Sequence, residues 1–125
     1  MQIILLVAAG GALGSVLRYL FVKLVSSWLG PEFPYGTLGV NVLGGLFAGA
    51  LYVILAERVA DAAQWRALLM IGVLGGFTTF SAFSVDTLKL LEESGLMLAA
   101  SNVAANVTLS LLACGAGIWM VRQWL

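Results

Sequence analysis

The side chains in this sequence that could do chemistry are mostly uncharged. Its 125 residues include no histidine and a single cysteine. His-based acid–base catalysis, Ser-His-Asp triads and most zinc sites are therefore excluded. Cys114 cannot close an internal disulfide and reads as a small residue on a helix face. What remains is amide and hydroxyl chemistry. Asn41 lies inside GTLGVNVLGG, and Asn102, Asn106, Ser110 and Cys114 follow one another at intervals of four. That spacing puts the four on one face of a helix. Such a stripe is either glue between helices or the wall of a permeation path. Four in register, with Asn41 as a further amide, favour the path.

Amides and hydroxyls can donate hydrogen bonds, and donors suit an anion. A carrier of protons or cations usually keeps a buried Asp or Glu, yet no carboxylate stands at the centre of any apolar segment. Asp86 has Lys89 three residues on, which predicts a local ion pair. Phe80 and Phe83 share a helix face, and the positive edge of an aromatic ring can meet a small anion. Plain core packing is the ordinary use of such a pair. Arg18 could snorkel to the interface or set a positive potential at a pore mouth; the sequence leaves both open.

The stretch that organises these residues is Gly72 to Ser84, GVLGGFTTFSAFS. Three glycines followed by Thr78, Thr79, Ser81 and Ser84 loosen a helix and offer hydroxyls in place of its backbone bonds. The expectation is a break near mid-membrane, tolerated only where it is buried in protein or lines a wet path. The alternative is a kinked helix whose glycines serve close packing. A break frees backbone carbonyls, which coordinate hard cations. If two opposed copies crossed at their breaks, two carbonyls from each would make a four-oxygen site suited to Na⁺.

The elements that must position these groups are membrane helices. The chain is 62% hydrophobic and 10% charged, against about 45–50% and 25% in soluble domains. Four apolar segments, Ile3 to Trp28, Tyr35 to Ala56, Trp65 to Leu91 and Leu96 to Val121, each approach or exceed the ~20 residues needed to span a bilayer. The reading is an all-α integral membrane protein of four transmembrane helices, one domain over residues 1–125, with the third helix broken. The N-terminal segment lacks a basic signal-peptide region and is expected to be retained as the first span. Trp28, Trp65, Trp119 and Trp124 fall near the helix ends, as interfacial aromatics do. A net charge of zero points to no nucleic-acid partner. Gly10/Gly14, Gly45/Gly49 and Gly72/Gly76 mark packing faces.

Lys and Arg set orientation, and here they are balanced: Arg58, Arg66 and Arg122 on one side, Arg18, Lys23 and Lys89 on the other. Both orientations are then open. A homodimer of two opposed copies would have its two-fold axis in the membrane plane. Four short helices enclose little volume, so a path between subunits is expected rather than one within a subunit.

The segments GGALGSVLRY (Gly10 to Tyr19), YGTLGVNVLGG (Tyr35 to Gly45) and GVLGGFTTFSAF (Gly72 to Phe83), in this order, closely resemble the Fluc family of bacterial fluoride channels. The resemblance covers all four helices. It implies an antiparallel, dual-topology homodimer with two fluoride pores, passive and selective, letting fluoride out through the bacterial cytoplasmic membrane. It implies pore residues at Asn41, Phe80 and Phe83, a polar track at Asn106, Ser110 and Cys114, and a central structural sodium ion held by the backbone carbonyls of Gly75 and Thr78. Arg18 matches the arginine of the first motif. Two positions depart from the family pattern: Cys114 where a hydroxyl residue is common, and Ala82 in place of a threonine. Two rivals remain. A small dual-topology multidrug exporter would couple to protons through a first-helix glutamate, which this chain lacks. A non-transporting subunit of a larger complex would use the same packing faces. An enzyme is not expected, since no nucleophile–base pair is present.

Overall fold

The computed structural model describes residues 1–124. Helix α1 spans Gln2–Leu29 and α2 spans Tyr35–Glu57. The third span, Ala63–Ser94, is composite. It begins with one α-helical turn, α3 (Ala63–Trp65), and widens into a π-helix over Arg66–Leu74. It tightens again in α4 (Gly75–Phe77), and resumes as α5 (Phe80–Ser94) after an interruption. Helix α6 spans Leu96–Trp124. Four helical units are thus long and apolar enough to cross a membrane, at the places read from hydropathy and with ends that coincide or run up to three residues longer. No strand occurs among the described residues.

Two of the three turns depend on glycine. Gly30 closes α1 at φ 82° and Gly95 separates α5 from α6 at φ 95°, backbone angles costly for other residues. Alternating direction puts both termini at the same end as the link after α2. There Arg122 Nη2 meets Glu57 Oε1 at 2.9 Å, joining α6 to α2. The pair is half-exposed and ties the ends together without adding much stability.

Two close crossings hold the bundle, and both are made by glycine. On α2, a Cβ at Gly45 or Gly49 would run into the carbonyls of Ser110 or Cys114 of α6, while one at Gly117 would strike the Leu46 carbonyl. On α1, Gly10 and Gly14 lie against the backbone of Leu68, Gly72 and Val73, and Gly76 lies against Gly11 and Ser15. Backbones approach this closely only where side chains are absent, which gives helices dispersion contacts that lipid does not match. The fully buried core is correspondingly thin, led by Val40 and Val53. Leu20, Phe47, Leu111 and Trp119 stay exposed on the outer faces, where hydrocarbon is the solvent.

The interruption does not sit on the glycines. Gly72 belongs to the π-helix, and Gly75 and Gly76 to the α-helical turn that follows. The chain is extended at Thr78 (φ −81°, ψ 158°) and Thr79 (φ −153°, ψ 116°). Gly72 and Gly76 therefore serve packing, and two threonines carry the break. The π-helix was not anticipated from the sequence.

Valine at Gly14 or Gly49 is expected to lower stability by about 1–3 kcal/mol through overpacking. Alanine at Gly11, where an added Cβ meets nothing within 4 Å, is expected to be neutral or slightly stabilising. Thermal unfolding in detergent of the three variants checks this.

Candidate functional site

The break is held open by a side chain from another helix. Asn41 of α2 meets both backbone groups of Thr79: its Oδ1 accepts from the Thr79 N–H at 2.8 Å, and its Nδ2 donates to the Thr79 carbonyl at 3.1 Å. The second hydrogen of that amide goes to Asn106 Oδ1 of α6 at 3.0 Å. In an intact helix the Thr79 N–H would bond the Gly75 carbonyl four residues back. Asn41 replaces that bond, so an extended residue is kept paired in the interior of a membrane protein.

Thr79 then starts the next helix. Its Oγ1 accepts from the Ala82 N–H at 3.0 Å, an N-cap bond. That donor would otherwise bond the Thr78 carbonyl. The Thr78 carbonyl instead accepts from Arg18 Nη1 of α1 at 3.3 Å. Thr78 itself stays attached to the preceding helix, its N–H and Oγ1 both donating to the Leu74 carbonyl at 2.9 Å. The break takes the helical donors from the carbonyls of Gly75 to Thr78; for Gly75 and Thr78 those donors, the Thr79 and Ala82 N–H groups, are seen bonded elsewhere.

From Asn106 the network climbs α6. Asn106 Nδ2 donates to the carbonyl and Oδ1 of Asn102, each at 3.0 Å. Asn102 Nδ2 donates to Thr87 Oγ1 at 2.9 Å, which donates to the Phe83 carbonyl at 2.7 Å. Asn102 is 0% exposed and Asn106 5%. This half of the polar stripe is glue: it fixes α5 against α6 and, through Asn41, against α2.

Ser110, one turn beyond Asn106, borders open space. A groove of about 450 Å³ is lined by Asn41, Thr78, Phe80, Phe83, Asn106 and Ser110, among others that include Gly75. No charged residue lines it. The rings of Phe80 and Phe83 sit 5.2 Å apart at a 56° tilt. Phe83 is buried, whereas Phe80 is 77% exposed on the surface of the chain. Ser110 Oγ is buried and has no hydrogen-bond partner. It is the one side-chain polar atom in that condition among the described residues.

The sequence-derived residues are thus gathered unevenly. Asn41, Phe80, Phe83, Asn106, Ser110, Gly75 and Thr78 share one groove. Cys114 stands one turn beyond Ser110, half-buried, and does not line it. Arg18 lies on the other side of the break, in a second groove with Ser15, Tyr19, Lys23 and Thr37. Thr79 borders both grooves, so the break is the wall between them. Asp86 differs from expectation: it accepts from Thr37 Oγ1 at 2.7 Å and forms no ion pair with Lys89. From the sequence Thr79 is read only as one of several hydroxyls at the break, and Thr87 is not singled out at all. Thr79 left a signal as a threonine opening a helix three residues before Ala82; Thr87 left none.

Four apolar spans, the third of them broken beside a groove that contains a few polar groups, define a small multi-pass integral membrane protein. The sequence model of the family described as CrcB-like protein, Camphor Resistance (CrcB), matches residues 5–118, and the chain belongs to this family. Its relatives include proteins named Fluoride-specific ion channel FluC. That of Rhizobium meliloti (strain 1021) is 48% identical over 122 residues, covering 98% of each chain. That of Nitrobacter winogradskyi is 48% identical over 119 residues, covering 95% of this chain and 94% of the relative. That of Rhodospirillum centenum is 46% identical over 122 residues, covering 98% and 97%.

Alanine at Asn41 strips the partners from the Thr79 N–H, the Thr79 carbonyl and Asn106 Oδ1. Unpairing buried groups of this kind is expected to cost about 2–5 kcal/mol. Cys114→Ala, which touches none of them, should change stability by less than about 1 kcal/mol. Unfolding midpoints in detergent distinguish the two.

Proposed function

We propose that this chain is a fluoride-specific channel and not an enzyme, passing the anion passively out of the cell through the bacterial cytoplasmic membrane. The observation that carries the reading is the unpaired Ser110 hydroxyl, buried in a groove that holds two phenylalanines and no charged side chain. A free hydroxyl can donate to an anion, and ring edges carry partial positive charge. Fluoride must shed water to enter such a space, and these groups stand in for part of that water. The relatives' names supply the identity of the anion; the groove's chemistry is what agrees with it. A proton-coupled multidrug exporter is less well supported, since α1 contains no Asp or Glu.

The groove is open along one side, and Phe80 projects from the chain. A second copy would close it. We take the working unit to be an antiparallel homodimer with two pores, which the even division of Lys and Arg favours. The same assembly suits a sodium ion at the dimer axis. Both carbonyls expected to hold it have lost their helical donors to other partners, Thr79 N–H to Asn41 and Ala82 N–H to Thr79 Oγ1. Gly75 is also exposed on the chain surface. Two oxygens from each copy would give the hard cation an all-oxygen site. A bound cation there would add positive potential beside both pores.

Purified protein in liposomes loaded with potassium fluoride or potassium chloride tests the proposal with an ion-selective electrode. Fluoride should leave rapidly and chloride should not. Ser110→Ala, Phe80→Ile and Phe83→Ile should each slow fluoride efflux at least about tenfold while the protein stays folded. Well-folded dimers that pass no fluoride, or pass chloride equally, would refute it.

A further inference from the structure

Arg18 is the residue whose position the proposed function does not explain. Helix α1 has 28 residues, so its midpoint falls between Ser15 and Val16. At ~1.5 Å per residue Arg18 lies about 4 Å from that midpoint. A cation at this depth is costly and needs a partner. No carboxylate lines the groove around it, which contains Ser15, Tyr19, Val22, Lys23, Thr37, Thr79 and Ala82. Arg18 does not reach toward the interface; its Nη1 donates to the Thr78 carbonyl. That carbonyl has been released from helical bonding, because the Ala82 N–H goes to Thr79 Oγ1.

We propose that Arg18 is a positioning residue that competes with sodium for the Thr78 carbonyl. The inference rests on the sodium site proposed above. With one chain alone, or without sodium, the guanidinium satisfies the oxygen and keeps Thr78 in its extended conformation. When a second copy brings two more carbonyls and a cation binds among the four, the guanidinium must withdraw, since two positive charges on one oxygen repel. It swings within the second groove, where it adds positive charge close to the break. Arg18 thus guards a membrane-buried carbonyl that would otherwise stand unpaired before assembly. Sodium affinity is held down by the strength of the Arg18–Thr78 bond.

The competition predicts a definite sign. Removing the guanidinium should make sodium bind more tightly, and should make the sodium-free protein less stable. The experiment titrates sodium into full-length protein purified in potassium or N-methylglucamine, reading the unfolding midpoint and the dimer fraction by cross-linking, with no flux measurement. In Arg18→Gln the half-saturating sodium concentration should fall about tenfold, the factor that ~1.4 kcal/mol of lost competition produces. Arg18→Lys keeps a cation with a shorter reach and should give an intermediate value, which preserves the test if the glutamine variant does not fold. Lys23→Gln removes a charge from the same groove but not the Thr78 contact, and should shift the value by less than about twofold. A wild-type protein indifferent to sodium would overturn the sodium site itself and this inference with it. A wild-type protein that responds to sodium, with Arg18→Gln responding at the same concentration or Lys23→Gln shifting equally, would overturn the competition alone.

Discussion

Everything distinctive about this fold depends on one constraint: an extended peptide at Thr79 must stay hydrogen-bonded where there is no water. Hydrocarbon does not tolerate an unpaired amide or carbonyl, which is why spanning segments are normally unbroken helices. Asn41 resolves the conflict by presenting an amide side chain that imitates a peptide, accepting from the Thr79 N–H and donating to its carbonyl. Serine could not supply both roles with this geometry, and aspartate would lack the donors. The remaining amide hydrogen ties the arrangement to Asn106. One residue thus couples α2, the break and α6.

Once Thr79 is held in this way, the other features of the centre follow. The segment before the break loses the helical donors of its last carbonyls, those of Gly75 and Thr78 among them. The helix after it gains an N-cap from Thr79 Oγ1. Starting α5 at Phe80 directs its first turn so that Phe80 and Phe83 face the groove that holds Ser110. On the opposite side of the same two residues lie Arg18 and its groove. Freed carbonyl oxygens and a mainly apolar groove that holds one unpartnered hydroxyl, Ser110, therefore meet at a single break. Glycine crossings make that break possible, because they bring α1 and α2 close enough for Arg18 and Asn41 to reach it.

The features legible in the sequence were those with a local physical cause. Hydropathy located all four spans, since burial in lipid acts residue by residue. Small-xxx-small spacing located both crossings, since close approach needs consecutive turns without side chains. The periodic stripe on α6 was legible as polar, but its division was not. Asn102 and Asn106 are consumed by bonds to Thr87 and Asn41, partners distant in sequence, while Ser110 is left free. The break is legible within Gly72–Ser84, from its glycines and hydroxyl residues together, but the residues that carry it are not. Its position at Thr79 is fixed by Asn41, 38 residues upstream, and no local signal records that partner. Asp86 was mispaired for the same reason, Thr37 being closer in space than Lys89.

The claim beneath all of this is that Asn41 alone keeps the Thr79 peptide paired. Amide hydrogen exchange at Thr79, followed by mass spectrometry or NMR in native protein and in Asn41→Ala, reads that claim directly. The account predicts protection at Thr79 comparable to the flanking helices in the native protein, although the residue is not helical. It predicts that protection is lost in the variant while amides of α1 and the outer turns of α6 stay protected. Rapid exchange at Thr79 in the native protein, or unchanged protection after Asn41 is removed, would contradict it.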